Sequence, residues 1–422
     1  MNSQQVLDGI LLLIGLKAMV ELFLGTLNRR HIQLHAGEVP SAFEGVMDEP
    51  TYQKATQYSL SKSRFGALSD VLQVFFYAFL LTQVLLPVLF KSMEQVLGTG
   101  VWGLSAMTLL AQVAFMVPFL PLDWWSQFRI EASYGFNRST QALWWIDRVK
   151  GFVLMMAIGV PLLAAIFFLY QKFPHSGWWM AAALMGVFQV VLMLVYPRFI
   201  LPIFNKLTPL EEGPLKARIM ALADRLNFKA QTIEVIDGSK RSGHSNAFFT
   251  GFGRFRRIVF FDTLLQQLSH DELEAVLAHE IGHYRHGHVL KHLVLNMAVM
   301  LGAFWLMHIA LQSPLLFSAL GFAHEEHMFW LPALIVLGGP ILGSVFFWLK
   351  PFLNAYSRKH EYEADAFARN GLGGDPKPLI QALRKLHKEN LSNLTPHPLF
   401  SAFYYSHPTL LERESALLRA DQ

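Results

Sequence analysis

Long apolar runs alternate with polar segments along this chain. Seven runs could cross a bilayer, which takes roughly 20 mostly apolar residues each. They cover about 6–27, 67–90, 101–120, 151–171, 178–197, 289–311 and 328–349. The first contains Asp8, Lys17 and Glu21. It reads as a span with its charges facing protein or a polar cavity, or else as an amphipathic helix at the interface; the span is preferred. No basic region precedes it and no small-residue cleavage site follows, so a cleaved leader is not expected.

The polar stretches 198–288 and 350–422 carry a different rhythm. Leu215, Ile219, Leu222 and Leu226 recur at helical spacing and predict a helix from Glu211 to Phe228. Thr232 to Ile236 and Ile258 to Phe261 are short β-rich runs, with Gly238, Ser239 and Gly243 as turn residues between them. Ser269 followed by Glu272 fits a capping box that opens a helix too polar to be a span. Pro376 and Pro378 open a helix from Leu379 to Leu391. Pro396, Pro398 and Pro408 mark an irregular strip before a last helix from about Thr409 to Ala420. The expected organisation is a membrane region over 1–197, a catalytic segment over 198–288, a membrane hairpin over 289–349 and a second polar segment over 350–422.

Composition agrees with a membrane protein. Of 422 residues, 53% are hydrophobic and 16% charged, against about 25% charged in soluble domains. Mean hydropathy is +0.33 and the pI about 9.1. Lys and Arg cluster beside the apolar runs, so membrane lipids rather than nucleic acid are the expected contacts. Arg29, Arg30, Lys54, Lys62 and Arg64 fall in 28–66; Arg129, Arg138, Arg148 and Lys150 fall in 121–150; the alternate loops are poor in positive charge. The positive-inside rule then places both long polar stretches in the cytoplasm and the N-terminus outside. The absence of cysteine excludes disulfides, thiolate metal sites and cysteine nucleophiles. It also fits, with the compact length, a bacterial inner membrane with a periplasmic N-terminus.

The candidate chemistry centres on Ala278-His279-Glu280-Ile281-Gly282-His283. Histidines four apart lie on one helical face, where both imidazoles reach one Zn²⁺ ion. Glu280 is then placed to act as general base on a zinc-bound water. A third ligand is needed. The H-E-x-x-H-x-x-G-x-x-H pattern fails, because Val289 stands at the third histidine position and His286 at the glycine. His286 and His288 are near, but His286 lies too far along the axis to close the same tetrahedron. The helical segment from Ser357 to Asp365 is the better source. Glu361 and Asp365 share a face, so Glu361 is the expected ligand and Asp365 the acceptor that orients a metal-bound imidazole. Glu363 points away.

These residues look like the type I CAAX prenyl proteases, integral-membrane zinc endopeptidases. The resemblance rests on H-E-I-G-H and, much later, S-R-x-x-E-Y-x-A-D-x-F-A. Tyr58-Ser59-Leu60 with Lys62 to Gly66, Ile130-Glu131 with Tyr134 to Asn137, Ser242 to Phe252, and Tyr405 to Arg413 extend it over nearly the whole chain. It implies one zinc ion on His279, His283 and Glu361, with Glu280 as base. It also implies a mostly α fold of seven transmembrane helices enclosing a chamber, with a zincin-like (gluzincin) cytoplasmic catalytic domain and a small β-sheet.

Asn246, Ala247 and Phe248 read either as an exposed edge strand that binds an extended peptide through its backbone, with the Asn246 side chain holding a substrate carbonyl, or as part of a buried hairpin with Phe248 and Phe249 as core. Donors for the oxyanion are sought opposite Glu280. His407 and Arg413 are the candidates; each has a plainer alternative, His407 facing solvent and Arg413 ion-paired with Asp365 or Glu412. The resemblance implies that His407 meets the substrate. The expected activity is hydrolysis of a peptide or protein, and the resemblance implies a lipidated substrate cut after a prenylated cysteine. Alternatives are a quality-control membrane protease without prenyl specificity and an inert scaffold or transporter.

Overall fold

A computed structural model describes residues 2–228, 232–250 and 257–419. The motif residues Gly251 and Phe252 and the expected helix end at Ala420 lie outside the described residues. Seven described helices are long and apolar enough to cross a membrane: Ser3–Leu34, Glu49–Thr82, Val101–Glu131, Gln141–Lys172, Gly177–Phe204, His288–Leu311 and His324–Gly371. Most outrun their apolar stretch, because a helix continues through polar residues while its backbone bonds are satisfied within it. These helices carry exposed Leu12, Phe23, Phe75, Val153, Trp179 and Val187, apolar surface that suits a membrane rather than water.

The expected span 67–90 is corrected. Glu49–Thr82 ends first, Val84 adopts a left-handed conformation (φ 54°), and a separate helix Leu85–Leu97 follows. A β-branched residue rarely takes that conformation. Its side chain packs where a Cβ on Gly321 would stand, a contact between residues far apart in sequence that apolarity alone does not reveal.

The polar end of the molecule has its own core. Four strands, β1 Leu207–Pro209, β2 Thr232–Ile236, β3 Ala247–Thr250 and β4 Arg257–Phe261, form a sheet in the order β1-β2-β4-β3. β2 and β4 run parallel, and the other pairs are antiparallel. Ile219 and Leu222 of helix Pro214–Arg225, Phe228 just after it, and Ile233 and Phe260 of the sheet pack against Leu273, Leu277 and Ile281 of His270–Arg285. Leu379 and Leu383 of Lys377–Glu389 close the same cluster. A second cluster, with Phe90, Met107, Phe167, Phe317 and Phe329, lies among the spans. The helical run His324–Gly371 joins the two ends: its apolar part lies among the spans, and its continuation Lys350–Gly371 packs on His270–Arg285. The strip after Pro396 contains a short helix, Pro398–Tyr404, that proline spacing did not announce.

Candidate metal centre

The helix His270–Arg285 starts on the expected cap. Ser269 N–H donates to Glu272 Oε2 at 2.7 Å, Glu272 N–H donates back to Ser269 Oγ at 3.4 Å, and Lys385 Nζ donates to Glu272 at 2.8 Å. Gly282 lets the partner helix come close. A Cβ there would stand 3.0 Å from Ala364 Cα and 3.1 Å from its carbonyl oxygen. Ala364 and Ala368 are fully buried in this contact, while Ala366 faces outward. Small residues on both helices therefore bring Glu361 within reach of the two histidines.

His279 Nε2 and His283 Nε2 lie 3.1 Å apart. Glu361 Oε2 is 3.4 Å from His279 Nε2, and Glu361 Oε1 is 3.3 Å from His283 Nε2. A tetrahedral ion with bonds of about 2.0–2.2 Å has donor–donor edges of about 3.3–3.6 Å, close to all three separations. Glu361 Oε2 is buried with no hydrogen-bond partner, a costly state that a cation relieves. The donor set and spacing thus fit a metal ion.

The far nitrogens of the two imidazoles meet different groups. His279 Nδ1 lies 2.8 Å from Asp365 Oδ1. Arg413 grips the same carboxylate with Nε at 2.8 Å and Nη2 at 2.5 Å, and its Nη1 is 3.7 Å from Glu361 Oε2. The ion pair with Asp365 is therefore the arrangement observed for Arg413. His283 Nδ1 lies 2.9 Å from His288 Nδ1, and His288 Nε2 lies 2.8 Å from Glu363 Oε2. His288 is buried, and sequence spacing left both its role and that of Glu363 unread; its only signal is its place five residues after His283. His286 is exposed.

Electrostatics favours positive charge here. Burial alone would lower His279, yet hydrogen bonds with Asp365 and Glu361 outweigh it and push the imidazole up to about 9. Burial raises Glu280 above the ordinary carboxylate value, with the charges of His279 and His283 pulling the other way. A carboxylate with a raised pKa accepts and returns a proton more readily near neutrality.

β3 stands at the edge of the sheet, as the peptide-binding alternative requires. Asn246 precedes it and is exposed; its Oδ1 accepts from Ala247 N–H at 2.8 Å, and its NH₂ has no acceptor among the described residues. Ala247 and Phe248 pair with Phe260 and Val259 of β4. His407 is exposed, with Nε2 3.3 Å from Glu361 Oε1. It lines a cavity of about 620 Å³ together with Tyr58, Lys62, His244, Asn390 and Tyr405. Three of the separated motifs meet on that wall. Tyr58 Oη donates to Glu131 at 2.8 Å, Lys62 Nζ lies 3.2 Å from Glu131, and His244 Nε2 lies 3.4 Å from it. Phe136 stacks on His244 at 3.9 Å, and Asn390 meets His244 Nδ1 at 2.9 Å.

Known proteins carry the same plan. Residues 28–206 match the family model of the CAAX prenyl protease N-terminal region with five membrane helices, and residues 209–421 match peptidase family M48. CAAX prenyl protease 1 of Saccharomyces cerevisiae is 36% identical over 92% of this chain and 90% of its own length. The CAAX prenyl protease 1 homolog of Oryza sativa subsp. japonica is 37% identical over 93% of each. The crystal structure of S. mikatae Ste24p superposes with a TM-score of 0.88 at 33% identity, covering 97% of this chain and 99% of that one. Sequence, architecture and the clustered histidines and glutamate agree: this chain is a multi-pass membrane metallopeptidase that belongs to the CAAX prenyl protease family of M48 peptidases.

Proposed function

We propose that His279, His283 and Glu361 hold one zinc ion, and that the chain hydrolyses a peptide bond next to a prenylated cysteine in a CAAX-type substrate. The observation that carries the reading is the buried Glu361 carboxylate, whose Oε2 has no hydrogen-bond partner and whose Oε2 and Oε1 stand 3.4 and 3.3 Å from two imidazole nitrogens that lie 3.1 Å apart. When bound, zinc polarises the scissile carbonyl and lowers the pKa of its water toward about 7. Glu280 takes the proton of the attacking water and returns it to the leaving amine. Asn246, Ala247 and Phe248 present the edge of β3 to an extended peptide, which pairs with it by backbone hydrogen bonds. His407 stands between that metal site and the cavity, where it donates to the developing oxyanion. Arg413 acts through Asp365 as a positioning residue, since its fork is already engaged.

The loop charges support a cytoplasmic site and an N-terminus on the opposite side. The relatives from Saccharomyces cerevisiae and Oryza sativa subsp. japonica are eukaryotic, and the expected bacterial setting is unsupported. A lipid-bearing peptide explains why hydrolysis is housed among membrane helices. The test pairs a farnesylated CAAX peptide with its unprenylated analogue, on purified protein with its zinc content measured. The farnesylated peptide is cleaved faster, and Glu280→Gln loses about 10²–10⁴-fold in rate with zinc still bound. Equal rates on both peptides would replace prenyl specificity with a general membrane-protein protease.

A further inference from the structure

We propose that His286, His288 and Glu363 form a second divalent-cation site, of the zinc class, whose occupancy works against the first. One donor atom from each of the three lies within 4.8 Å of the others. Two imidazoles and one carboxylate are a zinc donor set with the fourth position open. The backbone brings them together. Residues two apart on a continuous helix do not face one another. Here Gly287 breaks the helix with φ +66°, and the rings of His286 and His288 lie 13° from parallel with centroids 5.4 Å apart. Glu363 arrives from Lys350–Gly371 with Oε2 2.8 Å from His288 Nε2. His286 is exposed and its nitrogens meet no hydrogen-bond partner among the described residues, so its ring turns at little cost. Lys359 Nζ lies 3.9 Å from the other Glu363 oxygen and is mostly exposed, free to swing aside.

The two sites share a hydrogen bond, and the coupling rests on the ligand role proposed for His283. His283 Nδ1 and His288 Nδ1 are 2.9 Å apart, so one donates and the other accepts. With His283 Nε2 turned to the first site, its Nδ1 carries the hydrogen and His288 Nδ1 accepts it. His288 Nε2 then carries a hydrogen of its own, donated to Glu363. A cation on His288 Nε2 displaces that hydrogen to Nδ1, where it confronts the N–H of His283. Outer-site occupancy therefore removes the bond that orients His283, and such partners are worth about 10–100-fold in metal affinity or activity.

The test uses the full chain in detergent. After equilibration with excess Zn²⁺, elemental analysis should find about two zinc ions per chain, and about one in His286→Ala or Glu363→Ala. Excess Zn²⁺ should lower wild-type peptidase activity by about tenfold or more, and His286→Ala should escape that inhibition. A single zinc in the wild type, or unchanged zinc inhibition in His286→Ala, overturns the second site. Failure of the proposed function has a different sign: activity that survives Glu280→Gln.

Discussion

His279 and His283 sit one turn apart on a single helix, yet they are held in contrasting ways. Behind His279 stands Asp365, fully buried and gripped by a buried Arg413. Behind His283 stands His288, and behind that Glu363, which is about one-third exposed. The first support is a charged clamp sealed from water, where electrostatic interactions are strongest and broken pairs cost most. The second is a relay that opens to solvent and to Lys359. The imidazole of His279 is thus fixed rigidly, while that of His283 remains sensitive to whatever reaches Glu363.

The contrast is sharpest in Arg413→Ala. It leaves Asp365 and Glu361 without their buried cation and should destabilise the protein by about 3–5 kcal/mol, read from unfolding in detergent. Arg413→Lys should recover little, because an ammonium does not reproduce the two-pronged grip. Next, Asp365→Asn should weaken zinc binding by about 10–100-fold in chelator competition. Gly282→Ala tests the floor common to both histidines. Its Cβ would press on the Ala364 backbone, costing about 1–3 kcal/mol of stability.

On the exposed side the effects are smaller. Glu363→Gln keeps an acceptor for His288 and should cost less than about tenfold in zinc affinity, near the lower end for such partners. Losses equal to those of Asp365→Asn would erase the difference between the two supports. The smallest effect belongs to the helix start, distant from both. Burial raises Glu272, but Lys385 and the Ser269 cap outweigh it and hold the carboxyl below its ordinary value. Its folded pKa is therefore below the unfolded value of about 4.3. The associated stability is full above that value and is lost as pH falls through the folded pKa. Glu272→Gln should flatten this dependence while lowering stability at neutral pH by about 1 kcal/mol.

Much of the site was legible in the chain because its information is local. Spacing four apart put His279 with His283 and Glu361 with Asp365 on single helical faces. The Ser269 cap and both β-rich runs were visible for the same reason. The contact with the greatest consequence for His283 was not, since His288 lies beyond the Gly287 break, where helical periodicity no longer predicts direction. The run 67–90 also read as one span, because hydropathy measures transfer to lipid and is blind to a left-handed turn at Val84.

The sequence by itself determined the membrane class, the two helices that bear the candidate metal-binding residues, and the candidate base. Tertiary structure decided which carboxylate backs which imidazole, and joined Tyr58, His244 and Asn390 on one cavity wall with Glu131 bonded to Tyr58 and His244 behind them. It also committed Arg413 to Asp365. The physical reason is reach: periodicity fixes the face of one helix, whereas a 2.8 Å contact across tens of residues depends on how closely two helices pack. Here Gly282 and Ala364 set that approach.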